Sequence, residues 1–287
     1  MTDLSVSFMP VDGNTPSHQT DGSLTGLDFG VKDLIDVEGV RTTAGGTFLK
    51  DHIAQDDAAV IRQLRGAGAI IIGKTHLHEY AIGATNVNPH YGPARNPWNR
   101  DLSPGGSSGG SAVAVAAQMC LGALGTDTGG SVRVPSALCN LTGLRPAVGQ
   151  VSTQGVIPMS WTLDTVGPIA HTAHDVAVMF EVMTSDLMGC VNALKEPLPE
   201  LCLGVMEDDF FMLKTEYQVM GVVQQAVDTL VENFSIDRVG VSLPQVEAAW
   251  KAAGVISLGD AAAYHQDDVQ PARAAVRVSL VRCGERA

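Results

Sequence analysis

The chain has 287 residues, enough for roughly two domains at about 150 residues each, or for one large α/β domain. Hydrophobic residues at 45% and charged residues at 17% can fill a core, which excludes wholesale disorder. A formal net charge of −13 disfavours a nucleic-acid groove or an anionic membrane surface as the main partner.

The first 23 residues are polar and hold Pro10 and Pro16, which reads as a flexible N-terminal arm over 1–23. Met1-Thr2-Asp3-Leu4-Ser5 carries neither a basic nor an apolar leader segment, so no signal peptide is expected. Leu27, Phe29 and Val31 alternate with polar or small residues as in a short strand. Asp56 to Gly66 has helical spacing, with acidic residues where a helix N-terminus favours them, and Ala69–Gly73 reads as a strand buried on both faces. That order points to an α/β fold. Between Asn86 and Gly110 the chain turns to Pro, Asn, Gly and Ser, read as a loop without helix or strand. Ser111 is placed to cap the next segment, and Ala112–Ala117 is apolar all round, as a fully buried helix would be. A second glycine-rich loop runs from Gly125 to Arg133. Beyond it, Ala173–Met183 reads as a helix, Leu201–Val205 as a strand, Val219–Asn233 as a helix, Val239–Leu243 as a strand and Gln245–His265 as a helix. No apolar run approaches the ~20 residues of a bilayer span. Five cysteines, at 120, 139, 190, 202 and 283, form no CxxC pair, which fits a reduced, cytoplasmic setting.

The loops lack the phosphate-binding GxxxxGK[ST], the dinucleotide GxGxxG and the nucleophile elbow GxSxG. Serine chemistry inside tight backbone remains. A serine hydroxyl needs a base to take its proton, and successive N–H groups in Thr128-Gly129-Gly130-Ser131 can converge on a developing oxyanion. Alone, such a loop is more often a linker or turn than an active site.

Three runs together change that balance: Gly30-Val31-Lys32-Asp33-Leu34-Ile35-Asp36-Val37, Pro104 to Ser111, and Gly125 to Pro135. They resemble the amidase signature family, continuously from about Leu24 to Met183 and more weakly to about Gln266. The gaps match as well, with 24 residues between Ser107 and Ser131 and 75 between Lys32 and Ser107. The resemblance implies a mixed, largely parallel central sheet covered by helices. It implies hydrolysis of a carboxamide to acid and ammonia through a seryl acyl-enzyme, without metal or other cofactor. By it, Ser131 is the nucleophile, Ser107 the bridging serine after a cis Gly106–Ser107 peptide, and Lys32 the base. Thr128, Gly129, Gly130 and Ser131 become the oxyanion donors, with Ser108 and Arg133 as candidate substrate contacts. Arg133 is expected first to pair with Asp127 and brace the loop, unless the substrate carries a carboxylate.

A free lysine holds its proton at neutral pH, so Lys32 must be buried to serve as a base. Asp33 and Asp36 are expected to order the loop around it. His76-x-His78 reads as packing or pocket wall and not as a metal site, and Cys120 and Cys139 as core. The partner expected is a small-molecule amide, with self-association open.

Relatives in this family are much longer, and residues 268–287 switch to an arginine-rich tail. The expectation is an incomplete amidase domain over 24–267, with the C-terminal part of the fold missing and an atypical basic tail after it. The region from His76 to Arg95 resembles general bacterial amidases and indoleacetamide-type hydrolases. The alternatives are a glutaminase of the amidotransferase A-chain type, or an inactive truncated remnant.

Overall fold

A computed structural model describes residues 8–10, 22–185, 189–197, 200–207 and 215–266. The tail expected over 268–287, and Cys283 within it, lie outside the described residues. The chain divides into two compact units. One takes its residues from Met1–Ala193 and Ile256–Ala287, the other from Leu194–Val255.

The first unit is built on a six-stranded sheet, ordered β1-β3-β2-β6-β8-β7. Its strands are β1 (Phe8–Pro10), β2 (Asp28–Lys32), β3 (Ile70–Thr75), β6 (Gly122–Asp127), β7 (Thr142–Gly143) and β8 (Thr165–Ala170). β3, β2 and β6 run parallel, and antiparallel neighbours close both flanks, β1 on β3 and β8 on β6. β7 is antiparallel to β8 and so points the same way as the central three. The fold is therefore mixed α/β with a mostly parallel sheet.

Layering follows the alternation of side chains along each strand. Phe29 and Val31 of β2, Leu124 of β6 and Val166 and Ala170 of β8 join one core cluster. That cluster takes Val60, Ile61 and Leu64 of α1 (Ala59–Gly66) and Val176, Met179 and Phe180 of α4 (Ala173–Met183). Ala123 of β6 and Ile169 of β8 face the other way, onto Ala114 and Val115 of α2 (Gly109–Ala116). Helices thus cover both faces, and α2 is buried from Gly109 to Val115, as its apolar circumference requires. Thr172 caps α4 by accepting the Asp175 N–H at 3.1 Å.

Several local expectations are corrected. Phe8–Pro10 lies in the stretch read as a free arm, yet it pairs with Gly73–Thr75, because the outer edge of β3 otherwise leaves ladder groups unpaired. The Pro- and Asn-rich stretch forms a small antiparallel hairpin, β4 (Val87–Asn88) with β5 (Gly92–Pro93). Ser111 is not a cap. It sits inside α2, fully buried, and its hydroxyl bonds the Leu124 carbonyl at 2.9 Å and Thr75 Oγ1 at 2.7 Å. Ile70 of β3, expected inside, is 40% exposed.

After the short helices α3 (Arg133–Leu138) and α5 (Cys190–Ala193), the second unit pairs β9 (Cys202–Met206) in parallel with β10 (Asp237–Val241). Helix α6 (Tyr217–Phe234) makes the crossover, as parallel strands require. No residue of α6 is buried. The last described helix, α7 (Val246–Tyr264), belongs to the first unit from Ile256 onward.

Candidate active site

The parallel strands β3, β2 and β6 end at Thr75, Lys32 and Asp127, so one edge of the sheet gathers their carboxyl ends. In open α/β sheets that edge is where ligands bind. Lys32 is fully buried there. Its Nζ lies 2.7 Å from Ser107 Oγ and 2.7 Å from Thr126 Oγ1, so both of its hydrogen-bond partners are hydroxyls. Burial pushes the Lys32 amine down to about 7, against the pull of the Asp164 and Asp127 carboxylates, which favour the ammonium.

Ser107 is delivered by the loop entering α2, and the Gly106–Ser107 peptide is cis. Its carbonyl accepts the His78 N–H at 3.1 Å. At Gly110 a side chain would strike the His76 carbonyl, 2.3 Å from where a Cβ would stand. Only glycine lets α2 start this close to the segment after β3.

The second glycine-rich loop follows β6. The Ser108 N–H donates to the Ser131 carbonyl at 3.2 Å, which joins the two loops one residue after Ser107 and at Ser131 itself. Ser107 is fully buried and Ser131 half-buried. No hydrogen bond joins the two hydroxyls in this structure. Lys32 and Ser107 are in contact, and the Ser131 loop is tied to the Ser107 loop through the Ser108 N–H.

The Thr128–Ser131 turn is held from two sides. Buried Asp127 accepts the N–H of Gly130 at 2.8 Å, of Val132 at 3.1 Å and of Arg133 at 3.3 Å. Arg133 adds Nε at 3.1 Å and Nη2 at 3.0 Å, and Arg145 Nε approaches to 3.5 Å. Burial alone would raise the Asp127 carboxyl, but the Arg133 and backbone bonds outweigh it and hold it below its usual range. The Gly130 N–H is thus already committed to Asp127. The turn donors with no carboxylate partner are the N–H groups of Thr128, Gly129 and Ser131. Gly130 has φ +130°, a backbone state that favours glycine.

Both candidate substrate contacts are occupied otherwise. Ser108 is fully buried, and its hydroxyl donates to the Thr126 carbonyl at 3.2 Å and accepts the Thr126 N–H at 3.3 Å, a stitch between the start of α2 and β6. Arg133 pairs bidentately with Asp127, the bracing role expected of it, although its side chain is 53% exposed.

Asp33 orders the neighbouring loop, accepting from the Thr43 N–H and hydroxyl and pairing with Lys74 at 2.9 Å. His76 bonds Asn86 through Nδ1 at 2.8 Å, and burial pushes it down to about 4. His78 is lowered by burial and by the Lys32 charge. Among the described residues no group of three His, Cys, Asp or Glu is placed to hold a metal ion. Burial pushes the Cys120 and Cys139 thiols up to about 12, so both are inert core groups.

Thr126, Arg145 and Asp164 were missed in the sequence. Thr126 lies inside a quoted motif, but its contact depends on β6 running beside β2. Arg145 and Asp164 lie beyond Pro135 with no local signal.

The Amidase family profile matches residues 9–281. The chain is 38% identical over 239 residues to the A chain of glutamyl-tRNA(Gln) amidotransferase from Methylococcus capsulatus, covering 78% of this chain and 49% of that protein. The chain spans about half the length of the curated relatives it matches. The crystal structure of the corresponding A chain of glutamyl-tRNA(Gln) amidotransferase from Thermotoga maritima superposes with a TM-score of 0.80 at 28% identity, over 97% of this chain and 63% of that one. Native peptide amidase from Stenotrophomonas maltophilia gives 0.74 at 31% identity, over 88% and 55%. With the profile covering most of its length, the chain belongs to the amidase family.

Proposed function

We propose that this chain carries the catalytic machinery of an amide hydrolase, with Ser131 as nucleophile, Ser107 as bridge and Lys32 as base. The observation that carries this reading is a fully buried lysine whose two partners are hydroxyls, Ser107 and Thr126. A lysine lowered to about 7 is half neutral at neutral pH and can accept a proton.

In the forward step, Ser131 Oγ attacks the amide carbonyl carbon. Its proton passes to Ser107, and that of Ser107 to Lys32 Nζ. The carbonyl oxygen takes the electron pair, facing the N–H groups of Thr128, Gly129 and Ser131. Collapse breaks the C–N bond, and the leaving nitrogen takes the proton back from Lys32 through Ser107. Water then hydrolyses the acyl-serine by the reverse proton path. The Ser107–Ser131 leg needs the two hydroxyls to close on each other when substrate binds, as catalytic hydrogen bonds commonly do. Thr126 keeps Nζ aimed at Ser107 throughout.

A small carboxamide is the substrate class this supports. No described helix is long and apolar enough to cross a membrane. Relatives named as amidotransferase A chains support a second reading, release of ammonia from glutamine for a partner enzyme. Hydrolysis of an amide panel that includes glutamine, by wild type and Ser131→Ala with folding checked by circular dichroism, tests both. Ser131-dependent turnover of simple amides supports the first reading, and partner-dependent glutaminase activity supports the second. A folded wild type that turns over no amide and does not react with a fluorophosphonate at Ser131 leaves the third alternative, an inactive remnant.

A further inference from the structure

Asp164 belongs to none of the three motifs, yet it reaches the site from a separate segment. It is 6% exposed. Oδ1 accepts the Thr128 hydroxyl, and Oδ2 accepts the N–H groups of Met159 and Ser160, each at 2.9 Å. The segment is itself anchored: Ser160 Oγ donates to Asp260 Oδ2 at 2.6 Å, and the Leu163 carbonyl accepts Arg145 Nη2 at 3.1 Å. The two carboxylates whose charge bears on Lys32 differ in one respect. Asp127 is matched by Arg133 and Arg145, whereas among the described residues no arginine or lysine pairs directly with Asp164. Its partners are a hydroxyl and backbone N–H groups, and burial raises its carboxyl. The groups whose charge bears on Lys32 are Asp164, Asp127 with its two arginines, and His78.

We propose that Asp164 is a positioning residue for the amide hydrolysis inferred above: it fixes the Thr128 end of the donor turn through the threonine hydroxyl, and its unmatched charge stabilises the Lys32 ammonium formed when Ser131 attacks. A base in a dry site gains little from accepting a proton unless an opposite charge awaits the cation, the part a buried aspartate plays beside the histidine of a serine protease. Acting through Thr128 and Lys32, Asp164 needs no contact with substrate.

Asp164→Asn separates charge from shape. It keeps an oxygen for the Met159 and Ser160 N–H groups and an amide for Thr128 Oγ1, and loses the charge. In protein carrying 13Cε-labelled lysine, the Lys32 resonance, identified by its loss in Lys32→Met, is titrated in wild type and Asp164→Asn. With the carboxylate gone the ammonium is less favoured, so the Lys32 midpoint falls by about one unit. An unchanged midpoint overturns the proposal. The second measurement is the rate at which a fluorophosphonate labels Ser131. Thr128→Val slows it about 10- to 100-fold and Thr128→Ser recovers most of the loss. Equal rates in the two variants contradict the Thr128 link, and this pair decides if Asp164→Asn does not fold. The titration needs no turnover. A shifted midpoint in a protein that labels nowhere would count against the hydrolase reading and not against the coupling of Asp164 to Lys32.

Discussion

Lys32 and Lys74 are both fully buried, and they stand near the same end of neighbouring parallel strands. Their surroundings differ in kind. Lys74 lies 2.9 Å from Asp33 and 2.9 Å from Thr42 Oγ1, inside a brace that also ties down Thr43. Burial pushes the Lys74 ammonium down, and Asp33 beside it pulls it back up. Lys32 bonds two hydroxyls, and the Asp164 and Asp127 carboxylates act on it only through their charge. A lysine against a carboxylate exchanges its proton with that partner and anchors a loop. A lysine against a serine can pass the proton onward. Burial creates the shifted amine in both places, and the partner decides whether it becomes a brace or a base.

The largest effect that separates the two is on turnover. Lys32→Met removes the proposed base and is expected to lower kcat about 10²- to 10⁴-fold, with folding retained by circular dichroism. Lys74→Met leaves turnover per folded molecule within a few-fold, and comparable losses in both variants would erase the distinction. Next is stability. Lys74→Met strands Asp33 as an unpaired buried charge and should cost about 3–5 kcal/mol, read from the urea midpoint.

Lys32→Met should act in the opposite sense. Between about 7 and the ordinary lysine value of 10.5 the unfolded chain binds a proton at Lys32 that the folded chain does not. Wild-type stability therefore rises with pH across that window, by up to about 1.4 kcal/mol per unit, and the penalty is fully present below it. Lys32→Met removes this slope and, after the loss of two hydrogen bonds, should stabilise the fold by about 1–3 kcal/mol at pH 7. Urea titrations at pH 7 and 9 check it, and an undiminished slope in the variant would mean that Lys32 is charged in the folded state. The smallest effect is expected from Thr126→Val, which removes one partner of Nζ. It should lower kcat about tenfold with KM little changed, as for a group that aims the base without touching substrate.

Much of this was legible in the sequence, and the limits are physical. Ala173–Met183 was bounded correctly because Thr172 and Asp175 mark its start and its apolar period is unbroken. The runs around Lys32, Ser107 and Ser131 stood out through glycine-bordered motifs at fixed gaps, where glycines such as Gly110 on His76 record a close backbone approach. Ser111 was misread as a cap because a serine next to a helix start resembles one until the neighbouring strand is known. Asp164 and Arg145 could not be read, since their roles exist only once β8 brings its flanking segments against β6. Phe8–Pro10 paired against expectation because an open sheet edge recruits a strand whatever the composition around it.

The pH dependence of Ser131 labelling by a fluorophosphonate, in wild type and Ser107→Ala, tests most directly whether a neutral Lys32 activates Ser131 through Ser107. The expected result is a wild-type rate that rises with pH to a plateau, with a midpoint near 7, and a Ser107→Ala rate that is slower at every pH and has lost that rise. Wild-type speed with the same midpoint in Ser107→Ala would show that the proton of Ser131 leaves by another path.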